Sequence, residues 1–338
     1  MTRDYRINIK ASDFSSKDEI RYFKKDCMHD ITKKCKRKNK KVCMRNNEKD
    51  YILTFTKNEL YNAVITCGMP FFYLTKNALV ARSNDILYKI FAINTALDVD
   101  DEGFLFCSDK MEYLDKTERG LLMYYVGMFI TKLVSDKIFC FDYLVHLSIA
   151  SRYKSIKYNS NKEPDFVAFN IANNNCSIFE AKGLSKMDKR TLRNGKAQAR
   201  VIKWFQGTKP LNHIVSLSHP IGSKDKRLLC RLKDPIGNEK YDLDISKLEL
   251  IWLYYEPIFS ILQEKKGKHR NALATTLTVS QNESIEISMD PELYEILETF
   301  EANNRSLSYL EKDDQEYLEK LQRIISKTNP VSIRINET

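Results

Sequence analysis

Long apolar runs are missing from this chain of 338 residues. The longest, Leu121 to Ile130, is about half the length that a membrane-spanning helix requires, which argues against a helical membrane protein. The first ten residues hold no apolar signal region, so no secretory leader is expected and the chain reads as soluble and cytoplasmic. Glycine (10) and proline (8) are scarce, and neither a low-complexity tract nor an internal repeat is found. Without a G-x-x-x-x-G-K-[ST] loop or a G-x-G-x-x-G turn, no nucleotide motor or dinucleotide site is recognisable. The cysteines make no zinc pattern: Cys27, His29, Cys35 and Cys43 come nearest, but Cys35 and Cys43 lack the close neighbour that a zinc knuckle needs. Free thiols are expected, with Cys140 and Cys176 as small core hydrophobes.

What is present suffices for a sizeable core: 43% of residues are hydrophobic and 11% aromatic, enough for one large domain or two modest ones. The net charge of +10 favours a polyanionic partner. That charge is uneven. Seven of the nine residues from Lys33 to Lys41 are Lys or Arg, which gives either a solvated surface or sequence-independent phosphate contacts. Residues 1–116 read as a mixed α/β region. It has a helix near 17–37, strands at Tyr51–Phe55 and Phe71–Leu74, a helix from Asp85 to Leu97 and an acidic loop at Asp98–Gly103. Residues 220–338 read as a C-terminal α/β extension. Its elements are a strand at Leu228–Leu232, a strand running into a buried helix over Leu248–Lys265, a strand at Ser284–Met289, and helices at Pro291–Glu301 and Tyr309–Lys327.

Between them lies the stretch richest in chemistry. Glu163-Pro164-Asp165-Phe166-Val167-Ala168-Phe169 reads as a short strand, Asn173-Asn174-Asn175 as a turn, and the run ending Phe179-Glu180-Ala181-Lys182-Gly183 as a second strand. Side chains two apart on a strand point the same way, so Glu180 and Lys182 share a face, and a hairpin lets Asp165 approach them. Two carboxylates and an ammonium in one place are costly unless something uses them. A divalent cation does so, held by hard oxygen ligands while the lysine orients a water.

The flanks complete a pattern. Upstream, Leu122, Tyr125, Phe129 and Leu133 recur at helical spacing, with Glu118 four residues ahead on the same stripe. Glu118 either reaches a metal site or closes a capping box that begins at Asp115. Downstream, Asp188 to Phe205 reads as a basic helix with Ala197, Val201 and Trp204/Phe205 on one side, in which Gly195 costs about 1 kcal/mol relative to Ala. A weak strand near 152–158 and a strand at His213–Ser218 give the order helix, three strands, helix, strand.

This pattern resembles the PD-(D/E)xK, or restriction-endonuclease-like, nuclease superfamily, with Pro164-Asp165 as its first element and Glu180-Ala181-Lys182 as its second. The resemblance implies an α/β (α+β) fold with an αβββαβ core over residues 117–219 and Mg²⁺- or Mn²⁺-dependent hydrolysis of DNA. It also implies metal ligation by Asp165, Glu180, the Ala181 carbonyl and Glu118, a catalytic role for Lys182, and a bracing role for Gln198. Lys189, Arg190, Arg193, Lys196 and Arg200 would contact the nucleic acid. A prokaryotic restriction or anti-phage defence effector is the implied setting, as a homodimer or in a hetero-complex with regulatory or motor subunits. The alternative is a catalytically silent nucleic-acid-binding or assembly subunit with the same fold.

Overall fold

A computed structural model describes residues 4–14, 28–30, 49–67, 78–148, 163–173, 175–235, 241–243, 245–266, 273–304, 314–327 and 330–337. The basic run Lys33–Lys41, the strands at Phe71–Leu74 and near 152–158, and most of the expected helix near 17–37 lie outside them; the three described residues of that helix, Met28–Asp30, are a strand instead. The chain is a mixed α/β protein, whose strands in order are β1 (Tyr5–Ser12), β2 (Met28–Asp30), β3 (Lys49–Phe55), β4 (Leu97–Val99), β5 (Leu105–Cys107), β6 (Tyr143–His146), β7 (Phe166–Phe169), β8 (Cys176–Gly183), β9 (Ile202–Phe205), β10 (His213–Pro220), β11 (Leu228–Lys233), β12 (Tyr241–Leu243), β13 (Ala274–Ser280), β14 (Glu283–Met289) and β15 (Val331–Glu337). The helices are α1 (Lys57–Thr66), α2 (Ala78–Ala96), α3 (Lys116–Val134), α4 (Lys189–Ala199), α5 (Lys247–Lys266), α6 (Pro291–Asn304) and α7 (Asp314–Lys327).

Among the described residues, eight strands form one sheet in the order β2-β3-β1-β11-β10-β8-β7-β6. The strands β6, β7 and β8 form an antiparallel meander, and β10 returns parallel to β8 after the crossover through α4. Its members come from all three of the sequence segments distinguished above, since β1 pairs with both β3 and β11. β7 and β10 are buried on both faces: β7 is an unbroken apolar run, while β10 also encloses the polar His213, Ser216 and Ser218. The covering layers are two helices: α3 packs on β8 and β10, and so does α4. They lie on opposite faces, because Gly183 of β8 meets α3 while Glu180, three residues away, meets α4. Caught between the sheet and helices α1 and α2, α3 is buried almost all round from Leu122 to Val134.

Three further expectations need correction. The basic helix stops at Ala199, and Ile202–Phe205 is a strand pairing with β12. Val201-Ile202-Lys203-Trp204-Phe205 is rich in β-branched and aromatic residues, and the left-handed Gln206 and Gly207 turn the chain directly after it. Leu248–Lys265 is helical throughout rather than a strand entering a helix: α5 runs unbroken past Pro257. Cys140 is exposed, capping the turn Ser135–Phe139 with φ 54°, whereas Cys176 is buried as expected. None of the five described cysteines forms a disulfide. No helix among the described residues is long and apolar enough to cross a membrane.

Candidate active site

Pairing of Phe166 with Phe179 extends by one step to place Asp165 opposite Glu180. Residues facing each other across an antiparallel pair lie on the same side of the sheet, which brings the two carboxylates together. The backbone ties them reciprocally: the Asp165 N–H donates to Glu180 Oε2 at 3.2 Å, and the Ala181 N–H donates to Asp165 Oδ2 at 2.9 Å. Lys182 closes the triangle, its ammonium against Glu180 Oε1 and 3.8 Å from Asp165 Oδ2. Asp165, Glu180 and Lys182 are thus brought together as the sequence suggests.

Burial gives the group its chemistry. Glu180 is 0% exposed, and that enclosure, reinforced by the Asp165 charge, lifts its carboxyl to about 8 against the pull of Lys182. Burial also raises Asp165, opposed by Lys182 and by the Ala181 N–H. The same burial works against the Lys182 ammonium, but the two carboxylates outweigh it and its pKa ends above the ordinary value. Two further groups, unremarked from sequence, join the site. Glu163 has its Oε1 buried without a hydrogen-bond partner among the described residues, and its carboxyl is raised by burial and then by Asp165. Tyr124 of α3, 39% exposed, has its phenol pushed up by burial first and then by Asp165, with Glu180 a lesser cause. The adjacency of Glu163 to Pro164-Asp165 was a usable signal. Tyr124 lies off the apolar stripe and gave none.

Two close approaches of backbone position these side chains. A Cβ on Gly183 would fall 1.6 Å from the Met123 carbonyl oxygen, and one on Gly127 would fall 2.5 Å from the Gly183 nitrogen, so α3 and the end of β8 touch main chain to main chain. On the other face, a Cβ at Gly195 would lie 3.2 Å from Val215 Cγ1 and 3.6 Å from Glu180 Cγ. Gly195 is therefore where α4 settles onto Glu180. Ala199, Val215 and Leu217, with Leu184, Met187 and Leu192, form the small apolar cluster beneath that helix.

Gln198 Nε2 donates to the Glu163 carbonyl at 3.3 Å, bracing the approach to β7. Lys189, Arg190 and Arg193 are exposed on the first turns of α4, behind the Asp188 cap. Lys196 instead pairs with Asp13 at 2.9 Å, and Arg200 Nε donates to the Lys196 carbonyl. Glu118 sits exposed in the capping box of α3, where its Oε2 accepts the Asp115 N–H at 3.0 Å.

The donor set fits a hard divalent cation. Asp165 and Glu180 offer carboxylate oxygens, and burial keeps both carboxyls raised even with the Lys182 ammonium beside them. An extended residue directs its N–H and C=O to the same edge, so the Ala181 carbonyl shares the edge at which its N–H meets Asp165. The orphaned Glu163 Oε1 is a further hard donor beside Asp165. Among the described residues, no three or more His, Cys, Asp or Glu side chains already stand grouped as a metal site. Comparison with protein-family models, with curated proteins and with solved structures gave no match.

Proposed function

We propose that this chain is a metal-dependent endonuclease of the restriction-endonuclease-like kind, hydrolysing phosphodiesters of DNA. The observation that carries the reading is the enclosed Glu180 carboxylate with Asp165 opposite it and Lys182 upon it. A structural ion pair gains little from a second, repelling carboxylate brought to the same spot. The order α3, β6, β7, β8, α4, β10 supports the reading, with β9 inserted before the last strand.

Bound by Asp165, Glu180 and the Ala181 carbonyl, with Glu163 as a further donor, Mg²⁺ or Mn²⁺ would polarise the scissile phosphate and acidify a water. Lys182 then holds the attacking water in line and offsets the charge that builds on the phosphoryl oxygens. Gln198 keeps the Glu163–Asp165 segment in register with β8. Exposed Lys189, Arg190 and Arg193 supply phosphate contacts that position the strand without reading its sequence. Glu118 is already engaged by the start of its helix, so the proposed cation site does without it.

Supercoiled plasmid with Mg²⁺ or Mn²⁺ tests this directly. Wild type should nick or linearise it, Lys182→Ala and an EDTA control should not, and cleavage by Lys182→Ala at the wild-type rate would sink the assignment. The ion pair that Lys182 already makes with Glu180 favours a second reading, a nucleic-acid-binding or assembly subunit that does not cut; inert wild type with salt-dependent DNA affinity is its signature. A defence setting and assembly as a homodimer or with regulatory partners are part of the same proposal.

A further inference from the structure

A cleft of about 630 Å³ opens past the C-terminal ends of the parallel strands β8 and β10. Ligands of open α/β sheets bind outside the carboxyl ends of such strands, and the volume falls within the range of small-molecule sites. Its lining mixes two characters. Met111, Met123 and Met187 give polarisable, adaptable apolar surface. Arg119 and Lys186 bring positive charge, whereas Lys226 on the same wall is already held by Asp109 and Glu112. A flat apolar ring joined to an anion satisfies both characters, which describes a nucleotide. Position adds to this. Ser185 on the cleft wall is three residues from Lys182, no more than about 10 Å along the chain. Tyr113, 91% exposed, directly follows the cleft residue Glu112, an aromatic face on which a base can stack.

A paired duplex keeps its bases stacked inside and cannot fill such a cleft, while an unpaired strand can. We propose that the cleft takes an unpaired base of single-stranded DNA, with neighbouring phosphates on Arg119 and Lys186, so that the adjacent phosphodiester is presented at Lys182. The presentation step rests on the nuclease reading; the binding step does not.

The test is fluorescence anisotropy in EDTA with a labelled oligonucleotide of about 12 nucleotides, compared as single strand and as duplex. Wild type should favour the single strand by about tenfold or more, the worth of about one stacked base. Ser185→Trp, which fills the cleft from an exposed position, should lose that preference while duplex affinity stays within about twofold. Arg119→Ala should lower the salt slope for single strand by about one. Equal affinities in wild type, or undiminished single-strand binding by Ser185→Trp, would overturn the proposal. Plasmid cleavage together with equal affinities would remove the cleft and keep the nuclease. Cleft-dependent strand binding by a protein that never cuts would uphold the cleft and remove the nuclease.

Discussion

Glu180 ties the stability of the fold to pH and to divalent cations. The charges that act on it are Asp165 and Lys182 of the hairpin, and the Tyr124 phenol of α3 lies within their electrostatic reach, while α4 contributes the uncharged Gly195. In the unfolded chain its proton leaves near the ordinary 4.5; in the folded chain it is held until about 8. Between those limits the folded state binds the extra proton, so this contribution to stability is complete below about pH 4.5, falls as pH rises, and levels off above about 8. At about 1.4 kcal/mol per pKa unit the change is on the order of 5 kcal/mol. Asp165 and Glu163 are raised too and add in the same direction. The raised Lys182 contributes a constant amount throughout this window and loses it only at more alkaline pH. Glutamine has no proton to release, so Glu180→Gln should flatten the slope and be the more stable protein at about pH 8. Mg²⁺ or Mn²⁺ at about a hundred times its Kd should restore about 2.7 kcal/mol to wild type at that pH and little to Glu180→Gln. Urea unfolding followed by circular dichroism at about pH 5, 6, 7 and 8 measures all of this. A wild-type stability that is flat or rising over that range, or a Glu180→Gln curve parallel to it, would refute the reasoning.

Gly183→Ala places a methyl group 1.6 Å from a main-chain oxygen of α3. Relief requires separating helix from strand, so a loss of about 3 kcal/mol or more in urea unfolding is expected, and a thermal midpoint within about 1 °C of wild type would contradict the packing. Glu118→Ala should cost about 1 kcal/mol through its half of the capping box while leaving plasmid cleavage intact; lost cleavage at normal stability would return Glu118 to the site.

The hairpin was legible because every signal for it is local. The apolar run Phe166–Phe169, the asparagine turn and the alternation that puts Glu180 and Lys182 on one face all lie within about twenty residues, and strand periodicity reads such distances directly. The rest of the sheet was not. β1 lies beside β11 through pairs such as Asn8 with Leu229, and no local pattern announces a partner more than two hundred residues away. The first strand of the meander was expected near 152–158, but among the described residues it is Tyr143–His146, four residues long and without alternation because all four are buried. The basic helix was extended too far because helical and strand periods both fit Val201–Phe205, and a glycine turn decided between them.

Gly195 shows why the site's depth escaped the sequence. In a helix read alone, glycine is a weak position with a cost of about 1 kcal/mol. In the fold it is a place where α4 rests against both Glu180 and Val215. A methyl group there is tight against Val215, and a side chain longer than alanine would hold α4 away from the sheet and open a gap that admits water to Glu180. With that water the carboxyl would return toward its ordinary range, since its enclosure is the largest cause of the shift. What reads as a defect in helix propensity is thus the condition for a perturbed carboxylate, which becomes visible only once β8 and α4 are placed together.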